Sequence, residues 1–152
     1  MSLNNFPILS ILICTPIIGG VWALIAGDRQ EQTVKYFSLA VSIITFIFAV
    51  ILYCQFDPSY GGMQFIEESD WIKAFDIKYH LGVDGIALPL IMLTSFTTIL
   101  VILAAWEVIK KHISYYMCAF LILTGLMNGV FLALDAILFY VFWEAMLIPM
   151  FL

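Results

Sequence analysis

Glu144 is the residue in this chain best placed to do chemistry. It stands in the run AILFYVFWEAMLIPMFL, residues 136–152, which holds no other charge. A carboxylate at the centre of an apolar helix costs roughly 2.5–3.5 kcal/mol on insertion scales, and acids kept at that depth mark proton or ion sites by default. Burial raises the pKa of such an acid and a neighbouring cation lowers it, so a site balanced between the two can take up and release a proton. Pro149 follows five residues later. It has no N–H, so the Ala145 carbonyl loses its helical partner, and a kink or a bound water there makes a local polar pocket beside Glu144. The six Lys and Arg residues all fall outside the apolar windows. A cationic partner at membrane depth is therefore expected from another chain or from further sequence.

The elements that must position Glu144 follow from composition. Hydrophobic residues make up 64% of the 152 residues and charged residues 11%, against roughly 45–50% and 25% in a soluble domain. Each bilayer crossing needs about 20 apolar residues. Continuous apolar runs predict an all-α membrane protein with five transmembrane helices, at about 3–27, 36–56, 84–106, 113–134 and 135–152. A β-barrel would instead alternate over segments of about ten residues. The whole chain reads as a single membrane domain, with a structured outer loop over 57–83 between helices 2 and 3. No Lys or Arg precedes the first run, so it reads as a retained anchor helix rather than a cleaved signal. Glu144 lies nine residues after Asp135, which puts it about 13–14 Å below the outer interface at 1.5 Å per residue, close to the midplane.

Charge sets the expected threading. The connections Asp28–Lys35 and Glu107–His112 share one face and hold Arg29, Lys35, Lys110 and Lys111, whereas the other face has Lys73 and Lys78. Basic loops mark the cytoplasmic side, so the N-terminus is expected outside. Six acids and two lysines give the outer connection Asp57–Asp84 a charge of −4, most of the chain's net −5. That balance argues against nucleic acid as a partner, which needs a basic patch.

Within the outer loop, the turn cluster DPSYGG (Asp57–Gly62) precedes two short alternating stretches, Met63–Ile66 and Ile77–Leu81, which predict a small hairpin. Trp71 and Tyr79 suit an interfacial position. Asp84 and Asp135 are placed to cap the helices that follow them. His80 and His112 read as polar tips at wet interfaces. Cys14, Cys54 and Cys118 have no metal or pairing pattern and read as small packing residues. The sequence holds no cysteine ladder for an iron–sulfur cluster and no glycine-rich nucleotide loop.

Three segments carry a family resemblance. YHLGVDGIALPLIMLTS, Tyr79–Ser95, resembles the start of the third helix in the antiporter-like subunits of respiratory complex I. LALDAILFYVFWEAMLIPMFL, Leu132–Leu152, resembles the fifth helix of the chain M type, the counterpart of mitochondrial subunit 4. QFIEESDWI, Gln64–Ile72, resembles the outer loop of the same type. The resemblance implies a membrane-arm subunit of proton-translocating NADH:quinone oxidoreductase, with Glu144 matching the family's proton-channel glutamate on helix five. It implies no cofactor or metal in this chain, with NADH, FMN, iron–sulfur clusters and quinone held by other subunits. Expected partners are the other membrane-arm subunits, the lipid bilayer, and the remainder of the subunit or another chain supplying intramembrane lysines. Family members are longer and carry those lysines on later helices. The chain is therefore expected to be an N-terminal part of a longer subunit, one piece of a split subunit, or a truncated product. A bacterial inner membrane is expected in preference to a mitochondrial one. The alternatives are a cation/proton antiporter subunit of Mrp type and a truncated membrane scaffold without function.

Overall fold

A computed structural model describes residues 6–151. Helices α1 (Ile8–Ala26), α2 (Glu31–Gln55), α3 (Ala87–Val108) and α4 (Ile113–Leu132) are each long and apolar enough to cross a membrane. Strands β1 (Gln64–Ile72) and β2 (Ile77–Val83) form an antiparallel hairpin between α2 and α3. The chain ends in two short helices, α5 (Ala136–Ala145) and α6 (Leu147–Met150).

Two expectations are corrected here. The fifth helix, expected over 135–152, is short and broken at Met146, as Pro149 dictates by removing a donor from the last turn. Second, α2 starts at Glu31, so Lys35 is not in a loop. It sits within α2 at 8% exposure. The expected start of the first helix at residues 3–5 lies outside the described residues, as does Leu152. Cys118 is buried as expected, but Cys14 and Cys54 are exposed on the surface of this chain.

Lipid offers no hydrogen bonds, so helix ends need protein partners or the wet interface. Asp84 accepts from the N–H groups of Ile86 (3.1 Å) and Ala87 (2.6 Å). Asp135 does the same for Ile137 (2.9 Å) and Leu138 (3.2 Å). Both are the local caps expected above. Three further helix ends are served from a distance. Pro7 gives α1 no side-chain cap, and Glu67 of the hairpin instead accepts from Leu9 N–H at 2.8 Å and Ser10 N–H at 3.1 Å. Asp28 accepts from Ser114 N–H at the start of α4, 2.9 Å away. At the other polarity, Lys35 Nζ donates to the Trp106 carbonyl in the last turn of α3 at 2.9 Å, a cation on the negative end of that helix.

The hairpin is held to the bundle at two points. Phe65 has a left-handed φ of 56°, within a bulge that sets Gln64–Glu67 against Val83–Leu81. Bulges redirect side chains, and Glu67 just beyond this one reaches α1. The Ser10 hydroxyl also bonds the Glu67 carboxylate and lies 3.1 Å from the Tyr79 hydroxyl. Burial pushes the Tyr79 phenol above its ordinary pKa, keeping it a neutral partner. At the second point, Leu134 N–H donates to the His80 carbonyl at 2.9 Å, joining β2 to the α4–α5 turn.

Helices α1 and α4 meet through glycines. A Cβ on Gly125 would fall 2.7 Å from the Ile13 carbonyl oxygen, and one on Gly20 would fall 3.0 Å from the Cys118 carbonyl oxygen. Such approach of backbones is how membrane helices associate without a hydrophobic drive between them. The interior divides into one apolar cluster around Leu9, Leu12 and Leu88, at the hairpin end of the bundle, and a second around Val34, Ile102 and Leu121, at the opposite end.

Gly125→Ala is expected to cost about 1–3 kcal/mol, the usual penalty of overpacking against backbone, measured as reduced unfolding free energy in detergent micelles. A neutral Gly125→Ala would contradict the close α1–α4 contact. Glu67→Ala is expected to cost about 0.5–2 kcal/mol, the range for a lost N-cap, and to speed amide exchange selectively at Leu9 and Ser10. Unchanged exchange there would remove the tertiary cap.

Candidate functional site

Glu144 lies in the last turn of α5, two residues before the break at Met146. Asp135 starts the helix and Pro149 interrupts it, so the carboxylate is mounted on a segment fixed at both ends. Leu138, Phe142 and Pro149 turn toward the bundle. Phe142 packs on Gly129 of α4, where a Cβ would come within 2.7 Å of its ring. Pro149 is buried and borders a recess with Tyr116, Ala119 and Leu123 of α4. Counting 100° per residue puts Glu144 on the opposite side, with Ile137, Tyr140, Val141 and Ile148. Those four residues are all exposed, and Glu144 itself is half-buried.

The carboxylate therefore faces away from α1–α4. Its polar neighbour is Tyr140, one turn earlier on the same face. Among the described residues no ion pair reaches Glu144; the lysines in ion pairs are Lys73 and Lys78, both in the connection between α2 and α3. The Ala145 carbonyl, freed by Pro149, adjoins it. The arrangement sets a carboxylate beside a phenol and a carbonyl without an N–H partner.

Polar residues that sequence reasoning did not single out lie inside the bundle. Lys35, Ser38, Ser42 and Thr45 follow one another at spacings of 3, 4 and 3 along the buried face of α2. Ser95 and Thr98 continue the pattern on α3, and Thr124 and Asn128 on α4. The Thr98 and Thr124 hydroxyls are 2.6 Å apart. The signal was present as a 3.6-residue period of polar side chains, masked by the strong apolar background of the same windows. Asp84, Asp135 and His112 stay at the ends of helices, and His112 Nδ1 is 3.9 Å from Asp28.

Four membrane-length helices, a surface hairpin and a short fifth helix with a half-buried carboxylate on its open side define a multi-pass membrane protein of the antiporter-like architecture. The fold is that of a solved structure, respiratory complex I from Thermus thermophilus with bound NADH, with a TM-score of 0.76 at 20% identity, covering 93% of this chain and 27% of that one. Residues 8–134 match the family model described as NADH-ubiquinone oxidoreductase chain 4, amino terminus, and the chain belongs to that family. It is 43% identical over 149 residues to NADH-quinone oxidoreductase subunit M of Rhodobacter capsulatus, covering 95% of this chain and 28% of that one. It is 39% identical over 144 residues to NADH-ubiquinone oxidoreductase chain 4 of Arabidopsis thaliana, covering 95% and 29%. The chain thus spans under a third of the length of these curated relatives.

Proposed function

We propose that this chain serves in the membrane arm of a redox-driven NADH:quinone oxidoreductase and that Glu144 is an intramembrane proton site there. The observation that carries the reading is the orientation of Glu144. An acid on a membrane helix that faced lipid would be costly, and one inside α1–α4 would serve packing. Glu144 is half-buried on the exposed face of α5, away from α1–α4, and the reading has that face covered by further helices of the same subunit or of another chain rather than by lipid. A lysine brought to that face would lower the proton affinity of the carboxylate, and its withdrawal would raise it. Repeated approach and withdrawal, driven by redox chemistry in other subunits, would load and discharge the site. NADH, FMN, iron–sulfur clusters and quinone would be held elsewhere in the complex, and this chain would contribute the proton step alone. The location that fits is a bacterial inner membrane, with the N-terminus outside and the hairpin on the outer face.

Glu144→Gln in the membrane complex that contains this chain is expected to lower NADH-driven proton uptake into vesicles several-fold while complex abundance stays near the parent. Gln keeps the shape and cannot exchange a proton. Parental coupled pumping in the variant would rule out the assigned role. Topology is checked separately by single cysteines in a background without Cys14, Cys54 and Cys118. A cysteine at Ser59 should react with an impermeant maleimide from outside only, and one at Lys111 from inside only. The reverse pattern would overturn the threading.

A further inference from the structure

The middle of the α1–α4 bundle holds polar groups that the protein does not satisfy. Asn128 is fully buried, and among the described residues neither its Nδ2 nor its Oδ1 has a hydrogen-bond partner. The Ser95 hydroxyl, 1% exposed, is likewise unpaired. These two lie on one seam. Thr98 of α3 meets Thr124 of α4 at 2.6 Å. The helices are antiparallel, so Ser95, one turn before Thr98, and Asn128, one turn after Thr124, stand at the same height on the same faces.

The other two helices bring polar groups to that level. Packing of Phe46 on Phe96 and of Tyr36 on Trp106 sets the register of α2 against α3, which puts Thr45 within a turn of Ser95. Thr45 donates to its own Val41 carbonyl, which leaves its oxygen free to accept. The register of α1 against α4 is set by Gly20 on Cys118 and Ile122, and by Gly125 on Ile13 and Ile17. It places Leu12 opposite Asn128. Leu12 is the residue four before Pro16, which lies inside α1 and has no N–H to give the Leu12 carbonyl. Each of the four helices thus contributes a polar group to one layer, between the two apolar clusters.

We infer that this layer is a binding site for internal water, held by Asn128, Ser95 and the Leu12 carbonyl. Buried polar side chains in proteins are almost always paired, and ordered water supplies the partner where protein does not. The donor set selects water over a monovalent cation. Asn128 needs both a donor and an acceptor, and water is both; a cation would satisfy the oxygens and leave Nδ2 unmet. The site holds no anion to balance a cation, and the charge on the same face of α2 is Lys35, of the wrong sign. This site stands apart from Glu144, which faces the other way from α5, and does not rest on the proton reading.

The test is a density map, at a resolution that shows water, of the membrane complex containing this chain, prepared in sodium buffer and again in potassium buffer. A peak within hydrogen-bonding distance of the Asn128 amide and the Ser95 hydroxyl, present in both, is the expected result. An Asn128 amide bonded directly to protein groups with no peak would overturn the site. A peak confined to the sodium preparation would replace water by a cation and overturn the assignment. In Asn128→Leu the peak should disappear at near-parental complex abundance, and a peak retained there would remove Asn128 as its holder. If that variant does not assemble, the parental map still decides, and Ser95→Ala should move the peak or strip one of its contacts.

Discussion

A bilayer core offers no hydrogen bonds, and the organisation of this chain follows from that. Each helix leaves unpaired N–H groups at its start and unpaired carbonyls at its end. Local caps serve α3 and α5 through Asp84 and Asp135. The start of α1, the start of α4 and the end of α3 are served by Glu67, Asp28 and Lys35, each from a different element. Those long-range caps double as tertiary fasteners. The hairpin is tied to α1 because Pro7, at the N-cap of α1, has no capping side chain. The start of α2 and the end of α3 are tied together because an ammonium there meets the negative end of a helix. Capping and packing are one set of contacts.

Much of this was legible in the residue order, for identifiable reasons. Apolar run length gives the four spanning helices, because a bilayer demands it of any sequence. Asp84 and Asp135 were readable as caps because the N–H groups that donate to them lie two and three residues on. The hairpin was readable from alternation, though β1 extends further along EESDWI than the alternation alone suggests. What was not legible depends on distance. Lys35 looked like a loop charge because its acceptor, the Trp106 carbonyl, is 71 residues away. Glu67 looked like one of six outer acids, with nothing local to mark its reach to Leu9. The break at Met146 was half-legible: Pro149 announced a kink, but not that the last turn would separate as α6.

The two sides of the structure have different characters. Between α1 and α4 the backbones approach through Gly20 and Gly125, and the space is filled. On the open side, Ile137, Tyr140, Trp143 and Ile148 are all exposed, as are Met150 and Phe151. Apolar exposure on a membrane helix is not itself informative, since lipid is as apolar as leucine. The carboxylate in the middle of that surface is. It makes a lipid-covered face expensive and a protein-covered face the cheaper solution. The same physics explains why the interior of α1–α4 tolerates Thr98 and Thr124: their hydroxyls meet each other and their own helix carbonyls.

The mount of Glu144 follows from these constraints together. Gly129 lets the Phe142 ring sit directly on α4, and Pro149 is seated against the same helix about two turns further on. Between them Pro149 withholds one N–H from the ladder, while Met146 N–H still donates to the Phe142 carbonyl at 3.1 Å, so the turn that carries Glu144 is held both by backbone bonds and by side-chain packing on its inner face. A residue with an N–H at position 149 would satisfy the Ala145 carbonyl. Pro149 leaves that carbonyl free beside Glu144, an acceptor for a water or a protonated partner. On the proposed reading, that combination suits a group whose charge state must change. The bundle side holds the position of the carboxylate, and the open side leaves its proton affinity to be set by whatever cation approaches. A fully enclosed acid would need its compensating charge built in, and its pKa would then be fixed by the fold.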